Sequence, residues 1–175
     1  MKAHAAHVEI ARCHSSHAGD PGSPVPFPHQ EDIPKQIQPY LFFDGRCEEA
    51  ITFYRKALGV EVVMLMRYGD SPAGETTCPD GTQPPPDKVM HACLQIGSDQ
   101  LLLSDGFSGG QPEFKGFSLS LSPADDAEAG RVFDALADGG QAKQPLGPTF
   151  FASSFGMLED RFGVSWLIVV ATRPA

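Results

Sequence analysis

Two segments of this chain repeat one pattern. Apolar residues fall at Ala50, Phe53, Tyr54 and Ala57, and again at Ala129, Val132, Phe133 and Leu136. Both sets follow i, i+3, i+4, i+7, displaced by roughly eighty residues, which is the stripe of a helix lying on a sheet. A short β-type run precedes each helix, residues 37–43 in one case and 116–122 in the other. Further strand-like runs follow both. The pattern predicts an α+β protein of two tandem βαβββ modules, 36–106 and 116–172, whose curved sheet lines a cavity.

Composition narrows the functions. A chain of 175 residues, 41% hydrophobic, can bury one proper core. Its formal net charge of −9 comes with no Lys/Arg-rich stripe, which argues against nucleic acid or an anionic membrane as partner. No apolar run is long enough to cross a bilayer, and residues 1–17 contain no continuous apolar core of a secretory signal. Cys13, Cys47, Cys78 and Cys93 share no metal-type spacing. They read as reduced thiols of a cytoplasmic protein.

Residues 1–35 differ from the rest. They hold Pro21, Pro24, Pro26, Pro28 and Pro34 and almost no periodic apolar pattern, so a disordered extension is expected. They also hold His4, His7, His14, His17 and His29. With Cys13, these are donors suited to a soft divalent metal, but no rigid scaffold presets them. No function is assigned to this tail.

In the body, a strand over 37–43 and an Asp44-Gly45 turn lead into a helix over 46–58. Glu48 and Glu49 in its first turn and Arg55 and Lys56 in its last suit the helix dipole, and Gly59 is its terminator. A strand over 60–68 precedes a Pro/Gly-rich loop over 69–88, which reads equally as a pocket cover and as a tolerated insertion. Residues 89–97 and 100–105 read as a hairpin. The second helix is expected to start with Ser122 as N-cap, Pro123 at N1 and Asp125 at N3, and to end at Gly139-Gly140. Strands over 142–150, 151–159 and 164–170 complete the second module, with 160–163 turning into the last.

Several stretches resemble the vicinal-oxygen-chelate superfamily, which includes glyoxalase I, extradiol dioxygenases and bleomycin-resistance proteins. The opening Pro39-Tyr40-Leu41-Phe42-Phe43-Asp44-Gly45 is followed by Glu49-Ala50-Ile51, Phe53-Tyr54 and Leu58-Gly59. His91-Ala92, Leu103-Ser104-Asp105 and Gly116-Phe117-Ser118 continue it. The ending Phe155-Gly156, Asp160-Arg161-Phe162-Gly163-Val164 and Trp166 is the most specific part. Within the superfamily the chain is similar to the PhnB-like family over 36–172. The resemblance implies the glyoxalase/bleomycin-resistance fold and a homodimer.

It also implies a place to look for a divalent metal. Superfamily enzymes hold one with His, Glu or Gln from four strands, where it acts as a Lewis acid. Here the four positions carry Gln38, Asp105 (beside Ser104), Gly116 and Leu167. Gly116 and Leu167 cannot ligate. That removes most of the case for glyoxalase-type metal catalysis, so no cofactor is expected; if a divalent metal is bound, its ligands are Gln38, His91 and Asp105.

Strand alternation places His91, Cys93 and Gln95 on one face, opposite the wholly apolar Met90, Ala92, Leu94 and Ile96. The apolar set is expected to lie under the helix. His91 then faces the cavity with Gln38, Tyr40 and Phe42, and Ser118 shows the same sense in the second module. The candidate ligand-binding residues are therefore Gln38, Tyr40, Phe42, His91, Ser104, Asp105 and Ser118. His91, the body's one histidine, is also the candidate acid/base. Trp166, on the face away from Leu167, is expected in the core.

PhnB-like sequences are sometimes labelled quinone-pathway methyltransferases, yet this sequence has no glycine-rich strand-to-helix turn for an adenosyl cofactor. Two readings remain. One is a small-molecule binding protein of the bleomycin-resistance kind, needing only a partly polar, largely apolar pocket. The alternative is a metal-dependent lyase or isomerase-like enzyme of the glyoxalase type, or one using His91 alone.

Overall fold

The computed structural model describes residues 36–72, 83–106 and 112–172. The extension at 1–35, loop residues 73–82 and Cys78 lie outside the described residues. Residues Ile37–Ala175 form one compact unit. The first module runs β1 (Tyr40–Phe42), α1 (Cys47–Leu58), β2 (Glu61–Arg67), a single 3-10 turn (Tyr68–Asp70), β3 (Val89–Ile96) and β4 (Asp99–Ser104). The second runs β5 (Leu119–Leu121), α2 (Asp126–Ala137), β6 (Gln141–Gly147), β7 (Ala152–Glu159) and β8 (Ser165–Ala171).

The repeat is topological as well as periodic. One sheet has the order β1-β4-β3-β2, the other β5-β8-β7-β6. In each, the first strand pairs parallel with the last and the other neighbours are antiparallel. Even a register irregularity recurs, between Val62 and Met64 in β2 and between Ala142 and Gln144 in β6.

The helical stripes bury as their spacing requires. Ala50 and Tyr54 on α1, and Ala129 and Leu136 on α2, are fully covered. Phe53 and Ala57 are only partly buried, and Cys47 and Ile51 join α1's buried face. The two helices pack on one another, and both contribute to a single core with Leu41, Leu94, Leu103, Leu158, Trp166 and Ile168. The modules are joined by aromatic edges: Phe43 and Phe53 meet Phe162 at 5.6 and 5.7 Å, and Tyr54 meets Trp166 at 5.7 Å.

Three boundaries differ from the sequence reading. The leading strands shrink to three residues each, because Pro39 has no N–H for the ladder and Gly116 takes a left-handed φ of 79°. Helix α2 starts three residues later than Ser122 suggests. Its N-cap is Asp125, whose Oδ1 accepts from Glu128 N at 2.7 Å, while Glu128 Oε2 accepts from Ala124 N at 2.8 Å. A carboxylate pair satisfies the free first-turn amides better than the serine would. Helix α1 begins at Cys47 with no local side-chain cap; Gly59 ends it in the left-handed conformation, as expected.

Among the described glycines, Gly140 stands closest to neighbouring backbone. A Cβ there would stand 2.2 Å from Glu159 O and 2.8 Å from Asp160 Cα. Backbone cannot yield as a flexible side chain can, so Gly140→Ala is expected to lower stability by about 2 kcal/mol. Thermal unfolding should record a drop of roughly 5 °C; an unchanged midpoint would show that this turn relaxes freely.

Candidate ligand-binding face

Each sheet has one face under the helices and one left open. On the first sheet the open face is built in rows across β1, β4, β3 and β2. Tyr40 pairs with Leu102, Leu102 with Cys93, and Cys93 with Met64. In the next row Phe42 pairs with Ser104, and His91 pairs with Met66. A polar row closes one end: Gln38 donates to Gln100 at 2.6 Å and Gln100 to Gln95 at 3.0 Å.

The centre of this face is a hydrogen-bonded pair. Tyr40 OH lies 2.9 Å from His91 Nδ1, and their rings tilt together at 5.5 Å. Phe42 stacks on Tyr40 at 5.0 Å. Burial raises the Tyr40 phenol above its ordinary value, with the interaction with Ser104 partly offsetting it. Phe42 lies over Gly106, where a Cβ would meet its ring at 2.7 Å. Gly106 has φ 66°, so both conformation and space call for glycine there.

Tyr40 and Phe42 remain 39% and 46% exposed, and Met64 and Met66 49% and 38%. A folded domain does not ordinarily leave such a run of aromatic and thioether surface open to water without use.

Of the candidate residues, Gln38, Tyr40, Phe42 and His91 come together on this face; Ser104 lies on the same side of β4 but is 2% exposed, its hydroxyl accepting from Gly106 N at 2.9 Å. Asp105 does not join them. It is 3% exposed, and its carboxylate accepts from Cys47 N through Oδ1 and from Val89 N through Oδ2, both at 2.8 Å. It is the missing cap of α1, supplied from the end of β4. Ser118 precedes β5 and is exposed on the second module, whose open face continues through Ser120, Leu167, Met157 and Gln144. Among the described residues no strand pairing links the two sheets.

The residues Gln38, His91 and Asp105 do not fit a divalent ion as a set, because both Asp105 oxygens are committed to main-chain amides. Among the described residues, no three His, Cys, Asp or Glu side chains converge as a metal cluster would. Met64 and Met66 are the residues that sequence reasoning missed. Alternation along β3 already placed Cys93 on this face, but nothing local signals the register shift that re-aims the methionines.

Two cavities among the described residues lie elsewhere. A cleft of about 520 Å³ sits between the helices beside Glu48, Phe53, Lys56 and Arg161. Another of about 810 Å³ lies among Gly59, Gln95, Asp99, Ser122 and Glu128. Neither includes Tyr40 or His91. Among the described residues no helix is long and apolar enough to cross a membrane.

A family model described as 3-demethylubiquinone-9 3-methyltransferase matches residues 35–169. The chain is 35% identical over 143 residues to Protein YjdN of Escherichia coli strain K12, covering 79% of this chain and 97% of that protein. Among solved structures, protein PA1353 from Pseudomonas aeruginosa is 43% identical, with a TM-score of 0.68, over 79% of this chain and 99% of that one. The PhnB protein from Bacillus cereus, described as a putative 3-demethylubiquinone-9 3-methyltransferase, is 26% identical, with a TM-score of 0.62, over 78% and 100%. The chain belongs to the PhnB-like family. A glyoxylase/bleomycin resistance protein/dioxygenase domain from Frankia sp. EAN1pec shares the fold, at 15% identity and TM-score 0.53 over 78% and 94%. The PhnB-like chain thus has the vicinal-oxygen-chelate architecture, with its module repeat intact.

Proposed function

We propose that this PhnB-like protein is a cytoplasmic small-molecule binding protein that sequesters its ligand on the open face of the first sheet. The observation that carries the reading is the exposed Tyr40–Phe42–His91 cluster, apolar in area and polar at its centre, which the chain's own core does not cover. The second-module sheet of another copy, with Ser118 and Leu167 on its open face, would close the pocket of a homodimer. Methyl transfer is not proposed, because the strand-to-helix turn at Asp44-Gly45 lacks the glycines that seat an adenosyl cofactor.

An environment-sensitive anionic dye, anilinonaphthalene sulfonate, serves as probe. Y40A/F42A should weaken its binding by about tenfold, the equivalent of 1.4 kcal/mol. Sedimentation should give twice the chain mass for the wild type. Unchanged dye affinity in the double variant would remove the face from consideration.

The Tyr40–His91 hydrogen bond favours a second reading, acid/base catalysis of the lyase or isomerase type. His91→Ala separates the two. Retained ligand binding with no accompanying loss of turnover supports sequestration. A fall of about 10²–10⁴ in turnover of any substrate found, with binding kept, supports catalysis.

A further inference from the structure

The open face carries more sulfur than an organic pocket requires. Met64 is the cross-strand partner of Cys93, and Met66 that of His91. Residues two apart on a strand share a face, so the four stand at the corners of a square. Opposed pairs on one face bring their Cβ atoms to about 4.5–5.5 Å, and neighbours along a strand lie about 6.6 Å apart.

A bulge makes this square. Val62 pairs with the fully buried Leu94, so plain alternation would put Met64 and Met66 on the helix side with it. The extra residue between Val62 and Met64 reverses their sense and turns both thioethers to the histidine's face. A second irregularity directly after Met66 ends the registered stretch.

The donor chemistry is selective. Thioether, thiolate and imidazole suit soft ions, Cu(I) foremost, and poorly suit Mg²⁺ or Ca²⁺. The nearby carboxylate of Asp105 is already held by two amides. His91 is oriented by Tyr40 at Nδ1; with Nδ1–H donating to the phenol oxygen, Nε2 presents its lone pair. The half-exposed methionines, each with three rotatable bonds, can close on an ion.

We propose that Met64, Met66, His91 and Cys93 form a binding site for a soft monovalent metal ion of the Cu(I) class. Binding replaces the Cys93 S–H proton by the ion, releasing one proton to solvent with no change of oxidation state. All four donors come from one chain, and His91 is shared with the face proposed for the organic ligand, so the methionine methyls rather than ligand binding report on the ion.

Silver(I), redox-inert and of like ligand preference, is the probe. The test uses the full chain labelled with 13C at the methionine methyls, of which there are five: Met1, Met64, Met66, Met90 and Met157. The tail's histidines and Cys13 also take silver, so the methyl positions rather than total uptake decide. Met64 and Met66 are expected to shift together and saturate, with Met90, on the helix-packed face of β3, unmoved. Competition with a chelator should show M64L/M66L and Cys93→Ser each binding about tenfold more weakly at this site. Shifts confined to Met1, or none at saturating silver, overturn the proposal. So does undiminished affinity in the variants. If Cys93→Ser does not fold, the wild-type methyl spectrum and the exposed methionine variants still decide.

Discussion

Asp160→Ala is expected to destabilise the protein by about 4 kcal/mol, a large part of what holds a domain of this size together. Asp160 is 3% exposed and accepts four hydrogen bonds. Oδ2 takes Tyr54 OH at 2.7 Å and Trp166 Nε1 at 2.9 Å; Oδ1 takes Phe162 N at 2.9 Å and Val164 N at 3.1 Å. One carboxylate thus ties α1 of the first module to the last strand of the second. Alanine leaves four buried donors without an acceptor. Asp160→Asn keeps the volume but turns a donor toward the indole N–H, which can only donate, so about half the loss should remain. Urea unfolding with an unchanged slope measures both. A loss below about 1 kcal/mol in the alanine variant would mean that water replaces the carboxylate.

The same cluster predicts a pH limit. Burial, reinforced by the Asp160 carboxylate, holds the Tyr54 phenol well above its ordinary value of 10.0. A group whose folded pKa is raised contributes its full stabilisation below the unfolded value and loses it as pH rises beyond. Stability should therefore fall above about pH 10 and not on the acid side from this group.

Asp105→Ala is expected to cost about 3 kcal/mol, for a related reason in the first module. Its two oxygens satisfy Cys47 N, the first amide of α1, and Val89 N, the first amide of β3. Helix α1 has no cap of its own, so the loss combines a missing cap with a second orphaned amide. Dye binding by the fraction that remains folded should be unaffected. Weakened dye binding with unchanged urea unfolding would instead return Asp105 to the ligand face.

These two aspartates show where sequence reasoning reached and where it stopped. Asp105 ends a strand beside a glycine, and from sequence a ligand-facing carboxylate and a structural one look the same. Asp160 read as part of a turn, which it is: Gly163 N donates to its carbonyl at 2.9 Å. Its bond to Tyr54, 106 positions away, has no local signature. Trp166, by contrast, was assignable to the core by alternation alone, and it is 2% exposed.

Periodicity by itself determined the two helices, the module repeat and the faces of β1 and β3, because side-chain direction follows from 3.6-fold and 2-fold spacing whatever the surroundings. It therefore placed Gln38, Tyr40, Phe42 and His91 together. Only the tertiary structure decided that Asp105 caps α1, that Asp160 joins the modules, and that Met64 and Met66 share the face of His91. Hydrogen bonds between distant residues and a one-residue bulge are settled by which arrangement satisfies every buried donor at once, and that competition is global rather than local.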